Sequence, residues 1–214
     1  MAYPPEIAAA LSGATLRQLS YWRSAKTTEP LLAPEFHMPR SRVSYSFKDV
    51  VALRTFVYLR GREVSLQRVR RAVQALRQMG ETRHLSQYSL VAVGKDVVWR
   101  ISGDEAVDLT GQPGQHVIAQ MVDILAAFPG MRGRRVVPLY TPQQGVSVDP
   151  EIRGGYPVMA GTRVPYDIVA SLLADGLKTR EIQAFYPGIN PAATRGALRF
   201  ARYVDTYRSS SAAA

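Results

Sequence analysis

Residues 6–22 read EIAAALSGATLRQLSYW, and the rest of the chain is organised around them. Pro4 and Pro5 precede the run and suit the first turn of a helix, where a missing N–H leaves no bond unmade. The apolar stretch from Glu6 to Ser12 predicts a short helix, and Gly13-Ala14 breaks it. Thr15 is a good N-cap for a second helix over Leu16 to Ala25, because its hydroxyl accepts from a first-turn N–H. Leu16, Leu19 and Trp22 fall at three-residue steps and form an inward stripe. Arg17, Gln18, Tyr21 and Ser24 then face outward. Two short helices joined by a glycine-containing turn make a helix-turn-helix, whose second helix offers its exposed side chains to the major groove.

Downstream, residues 30–42 carry three prolines and no helical period, which predicts a loop. Residues 43–47, VSYSF, have β character and are flanked by Arg40 and Arg42, where a wing would lie beside a helix-turn-helix. A helix is expected from Phe47 to Arg60, buried through Phe47, Val50, Leu53 and Val57 and ended by Gly61. Ser65 caps another, with Leu66, Val69, Val73 and Leu76 inward and Arg68, Arg71, Gln74 and Gln78 outward, and Gly80 stops it. Arg68, Arg71 and Arg77 read mainly as the wet side of that helix. From Leu90 to Ile101 the period changes to that of a hairpin turning at Gly94-Lys95. The loop GQPGQ precedes a helix from His116 to Phe128 that is apolar nearly all round, which suggests a surface between two copies of the chain. Arg132, Arg134 and Arg135 stand before a strand-like VVPLY, and TPQQG, residues 141–145, reads as a linker.

Composition narrows the function. The 214 residues carry a formal charge of +10, with 23 Arg and 4 Lys. Residues 1–83 hold 14 Lys+Arg against 6 Asp+Glu, whereas residues 84–214 hold 13 against 11, so the basic excess sits at the front. That asymmetry favours a polyanionic partner for the first segment. The chain has no cysteine, which excludes disulfides, thiolate catalysis and iron–sulfur chemistry. His37, His84 and His116 are scattered outside any ligand spacing, so neither a metal nor another cofactor is expected. No phosphate-binding loop, dinucleotide fingerprint, metalloprotease motif or nucleophile elbow occurs. Asp149 and Glu151 lack the further carboxylates that a metal-dependent nuclease needs. No window approaches the ~20 apolar residues of a membrane span. A soluble cytoplasmic protein that is not an enzyme, with no membrane partner and no small-molecule substrate, is therefore expected.

The last segment has its own logic. Val146 to Val148 is strand-like, and tight turns at Gly154-Gly155 and Gly161 surround Pro157-Val158. A helix after Pro165 ends at Gly176, Thr179 caps REIQAFY, and Asn190 with Pro191 opens a helix running to about Tyr207. Three helices with short turns predict a second small helix-turn-helix. In the GTR turn, Gly161 would allow a positive φ, Thr162 would satisfy backbone groups and Arg163 would brace the junction ahead of Pro165. Arg195, Arg199 and Arg202 share one face of the last helix, opposite Ala193, Ala197, Phe200 and Val204. The expected class is mostly α with small β elements. Its segments are 1–83, a winged helix-turn-helix; 84–140, a hairpin and apolar helix; the linker 141–145; 146–208, the three-helix module; and a frayed tail, 209–214.

Two resemblances attach to these residues. EIAAALSGATLRQLSYW, EPLLAP and RVSYSFKDVVALR together resemble the MerR-type winged helix-turn-helix, although the loop is longer and the wing glycine is absent. DPEIRGGYPVMAGTRVPYDIVASLLADG followed by EIQAFYPGI is similar to a small helix-turn-helix family found among antitoxins of VapBC-like pairs, with Asp149, Pro150, Gly155, Pro157, Gly161, Thr162, Arg163 and Pro165 in place. The combination resembles mycobacterial-type VapB antitoxins. That resemblance implies a PIN-domain ribonuclease toxin as partner and a complex that binds its own operator DNA, while the apolar helix leads us to expect a homodimer. By their placement, Arg17, Gln18, Tyr21, Ser24, Arg40, Arg42 and Tyr45 are expected to contact DNA, and Arg195, Arg199 and Arg202 the toxin or a second nucleic-acid face. A stand-alone ligand-sensing MerR-like regulator is an alternative, and so is an RNA-binding or nucleolytic enzyme.

Overall fold

The structure, a computed structural model, describes residues 2–24, 29–36, 43–79, 86, 89–93, 96–102, 105–108 and 124–209. Seven α-helices stand among them: α1 (Pro5–Ser12), α2 (Leu16–Arg23), α3 (Phe47–Gly61), α4 (Leu66–Gln78), α5 (Tyr166–Ala174), α6 (Thr179–Phe185) and α7 (Pro191–Ser209). The strands are short and antiparallel. β1 (Ser89–Val93), β2 (Asp96–Ser102) and β3 (Glu105–Asp108) form one sheet in that order; β4 (Phe128–Pro129) pairs with β5 (Arg135–Val136), and β6 (Val146–Ser147) with β7 (Val158–Met159). The fold is thus mostly α with small β elements, as expected from the sequence.

The alanine-rich α1 has no polar face because it is enclosed: α2, α3, α7 and β5 all pack on it, and Ile7 to Ser12 are buried. Gly13 ends it in the left-handed region at φ 80°, its N–H donating to Ala9 O. The position needs glycine twice over, since a Cβ there would also lie 2.4 Å from the Val136 side chain. Ser12 stiffens the turn, its hydroxyl donating to Ala9 O and accepting from Ala14 N. Across the turn, Thr15 and Gln18 form a capping box that starts α2. α2 ends at Arg23, two residues before the expected Ala25, and Leu31 N donates back to Trp22 O at 2.8 Å. α3 begins on a second capping box, Ser46 with Asp49, and the buried Asp49 carboxylate also accepts from Glu35 N at 3.1 Å. Trp22 meets Phe56 edge-on at 5.8 Å, which locks α2 onto α3.

Arg54, on α3, is wholly buried and is held by backbone carbonyls. Its Nε donates to Ile124 O at 2.6 Å, Nη1 to Leu11 O and Nη2 to Ala126 O at 2.7 Å, while the guanidinium lies 5.1 Å from the Phe128 ring centre. These carbonyls come from the C-terminal end of α1 and from residues 124–126, where a helix end leaves acceptors unused. Burial lowers the Arg54 pKa to about 10, so the group is still charged at neutral pH.

The two ends of the chain meet around α1. Tyr3 OH donates to Gly155 O at 2.7 Å, and Tyr203 OH, on α7, donates to Ala10 O at 3.2 Å. Tyr166 packs edge-on against Phe200 at 4.7 Å, joining α5 to α7. The expected linker 141–145 is packed rather than free: a Cβ on Gly196 of α7 would fall 1.8 Å from Gln144 O.

Several expectations are corrected. The helix expected over His116–Phe128 does not reach its stated end, because Phe128 stands in β4, paired with Val136. Ile124 and Phe128, which the apolar run would place on a surface between two copies, are buried within the chain itself, against Arg54 and Tyr58. His116 to Asp123 lie outside the described residues. Only Arg135–Val136 of the basic and VVPLY stretch is strand. The hairpin β1–β2 has a third strand, β3, which the sequence reading omitted. Lys178, not Thr179, precedes the first residue of α6, and the Glu181 carboxylate accepts from its N–H at 2.6 Å.

Buried phenols give the fold a pH limit. Burial pushes the Tyr45 pKa up to about 12 and raises those of Tyr3, Tyr156, Tyr166 and Tyr203 well above the ordinary value. Each keeps its proton in the folded chain beyond the pH, about 10, at which an unfolded tyrosine loses it. Each therefore contributes stability below about pH 10 that is lost as the pH rises further. Arg54 is shifted in the opposite sense and offsets part of one such contribution. Far-UV circular dichroism is expected to show cooperative unfolding above about pH 10 together with the rise of phenolate absorbance. Complete phenolate formation, these five buried rings included, in a chain that stays helical would contradict this.

Candidate nucleic-acid interface

The capping box at Thr15 orients α2 so that Leu19 and Trp22 are buried and Arg17, Ser20 and Tyr21 are exposed, Tyr21 by 56 %. The exposed triad lies on one side of a helix barely two turns long. Ser24, at the C-terminal cap, is half-buried. Two residues expected on this face are placed differently. The Gln18 carboxamide is committed, its Oε1 accepting from Thr15 N at 2.8 Å and its Nε2 donating to Met131 Sδ at 3.2 Å. Tyr45 is 2 % exposed and its backbone pairs with Tyr3, so its side chain belongs to the core and cannot grip phosphate. Arg40 and Arg42 lie outside the described residues. Among the described residues beside them, isolated bridges pair Phe36 with Ser44 and Tyr3 with Tyr45, and Phe47 already belongs to α3.

α4 supports the far end of α2. The Arg70 guanidinium stacks over the exposed Tyr21 ring at 5.4 Å and its Nη1 donates to Glu29 O at 3.2 Å. Arg77 forms an ion pair with Glu29 at 2.6 Å and donates to Pro30 O. An open concavity of about 270 Å3 lies between these groups and Gln74, and another of about 540 Å3 lies beside Ser20, Arg23 and Pro34. The sequence reading missed Ser20 and Arg70. Both had a signal: Ser20 borders Arg17 on the polar arc, on the side away from Tyr21, and Arg70 borders the Val69–Val73 stripe on the side nearest α2.

On α7 the three arginines Arg195, Arg199 and Arg202 are all exposed, with Ala193, Ala197, Phe200 and Val204 buried behind them. Asn190 Oδ1 caps the helix through Ala192 N at 2.9 Å. In the GTR turn Gly161 adopts φ 76°, Thr162 Oγ1 donates to Met159 O and accepts from Val164 N, and Arg163 is exposed. Pro165 is the N-cap residue of α5. Among the described residues no group of three His, Cys, Asp or Glu side chains is placed to hold a metal ion, and no helix is long and apolar enough to cross a membrane.

Residues 3–76, which contain α1 to α4 nearly whole, match the MerR HTH family regulatory protein model. The N-terminal segment is similar to the MerR HTH family over that third of the chain. Residues 146–201 match a second family, described as a protein of unknown function (DUF433). Two curated relatives are the uncharacterized HTH-type transcriptional regulators Rv1830 of Mycobacterium tuberculosis and Mb1861 of Mycobacterium bovis. Each is 32% identical over 130 residues, a match covering 57% of this chain and 56% of theirs. The chain thus spans about half the length of the curated relatives it matches. The X-ray crystal structure of Rv2018 from Mycobacterium tuberculosis superposes with a TM-score of 0.56 at 18% identity, covering 92% of this chain and 96% of that one, and so shares the fold. The likeness to the MerR family thus covers α1 to α4, and the fold resemblance extends over nearly the whole chain.

Proposed function

We propose that this protein binds operator DNA through α2, represses its own promoter, and acts as the antitoxin of a co-encoded PIN-domain ribonuclease. The observation that carries the DNA reading is the exposed Arg17–Ser20–Tyr21 face, presented by a rigid capped turn in a MerR-type domain. Guanidinium groups pair bidentately with guanine, and a phenol reaches phosphate or a base edge. The basic excess of the first 83 residues adds long-range attraction to a duplex. A paired chain would set two α2 helices on half-sites about one DNA turn apart.

The antitoxin reading is supported by the motif positions from Asp149 to Pro165 and by the exposed row Arg195, Arg199 and Arg202. Fixed guanidinium groups at that spacing fit the acidic, cation-binding centre of a metal-dependent ribonuclease. The protein acts by occupying partners, not by catalysis.

Co-expression with the product of the neighbouring gene tests both partners at once. The expected result is a stable complex in which ribonuclease activity is silenced, and which retards DNA from upstream of its own gene. Replacing Arg195, Arg199 and Arg202 by alanine should weaken capture of the ribonuclease by roughly tenfold or more. An adjacent product that neither co-purifies nor loses activity would overturn the antitoxin reading and leave a stand-alone regulator.

A further inference from the structure

The arginines between Met131 and Arg135 have no part in the reading above, yet the fold delivers them to the recognition helix. Phe128 pairs with Val136 and Pro129 with Arg135, and the chain between them turns through a 3-10 turn, Met131–Gly133, with Gly133 at φ 72°. This small hairpin is seated against the helix-turn-helix at two points. Val136 fills the space beside Gly13, the turn glycine, and Met131 Sδ accepts from the Gln18 carboxamide in the first turn of α2. Val136 and Phe128 are buried, whereas Gly133, Arg134 and Arg135 at the tip are exposed.

The tip is also braced from behind. The Arg134 guanidinium rests 4.8 Å from the Tyr207 ring centre on α7, and Gly130 N donates to Arg134 O at 2.8 Å. A two-stranded hairpin with a cationic tip, anchored on one flank of a recognition helix, is a wing in the physical sense. A duplex docked on Arg17 and Tyr21 would pass its phosphates along that flank. This hairpin lies outside residues 3–76, so it is an addition to the MerR-type domain.

We infer that the β4–β5 hairpin is a second wing, and that Arg134 and Arg135 grip the phosphate backbone beside α2. The inference rests on the DNA-binding reading. Phosphate contacts fix register without reading sequence, and each one releases a counterion and so steepens the salt dependence of binding.

Fluorescence anisotropy on duplex DNA from upstream of the gene, and on an unrelated duplex of equal length, tests it across a salt series. Arg134→Ala/Arg135→Ala should weaken binding to both duplexes by similar factors and make the log–log salt slope shallower by about two. Arg135→Ala alone removes an exposed side chain and should flatten the slope by about one with unchanged thermal unfolding, and Arg135→Lys should restore most of it. The hairpin assignment fails if these variants keep the parental affinity and slope while Arg17→Ala/Tyr21→Ala loses binding. It fails equally if they bind DNA normally but no longer capture the ribonuclease, which would make the hairpin a protein contact. If the parental chain binds neither duplex, the DNA-binding reading itself is lost.

Discussion

Replacing Arg17 and Tyr21 together by alanine is expected to reduce operator affinity by roughly hundredfold or more while leaving the fold intact. A bidentate arginine–guanine pair contributes ~1–3 kcal/mol of discrimination, and loss of a stacked or phosphate-bound phenol adds a comparable amount. The stability effect should be small, because Arg17 is exposed and Tyr21 is 56 % exposed. Removing Tyr21 also leaves Arg70 without the ring it covers, so part of the loss will come from a loosened support. Arg17→Lys separates the two kinds of contact. A lysine keeps the charge but not the planar fork, so binding to unrelated DNA should persist while preference for the operator falls. Titration of the double variant on operator and unrelated duplexes at one salt concentration measures both quantities. Unchanged operator affinity in the double variant would mean that α2 is not the reading helix.

The second large effect concerns stability. Arg54→Met is expected to destabilise the protein by about 3–5 kcal/mol, in the range found when one partner of a buried charged network is removed. Swapping a whole buried ion pair for apolar side chains is often neutral, because both penalties disappear together. That escape is closed here, since the partners are backbone carbonyls, and those of Leu11 and Ile124 stay buried after the substitution. At ~2–4 °C per kcal/mol for a chain of this size, the melting midpoint should fall by roughly 10 °C. Arg54→Lys should fall between the two, retaining charge but unable to reach three carbonyls from one fork. Thermal unfolding followed by circular dichroism decides the matter, and a melting curve unchanged in Arg54→Met would show that the carbonyls find other donors.

Much of the helical skeleton was legible because its signals are local. Pro5, Gly13, Thr15, Ser65 and Asn190 mark helix ends by chemistry that acts within four residues. What was not legible depends on partners far along the chain. Gln18 falls on the outward arc of α2 by period alone, but the cap at Thr15 and the sulfur of Met131 claim its amide. Tyr45 looks like a wing residue until the strand bridge to Tyr3 carries it into the core. Arg54 interrupts an apolar helix, and nothing nearby announces that acceptors arrive from residues 11 and 124–126. Phe128 continues an apolar run in sequence, whereas in space it turns to face Val136.

The junction of Tyr3 with Gly155, and of Ala10 with Tyr203, spans 152 and 193 positions of sequence. During synthesis the opening helix therefore leaves the ribosome long before the residues that enclose it exist. Contacts of such separation are slow to form, because the loop they close is long. A protease that clips the closing helix would uncover the alanine surface at the heart of the reading head. On the function proposed above, repression and restraint of the ribonuclease would then lapse in one cut.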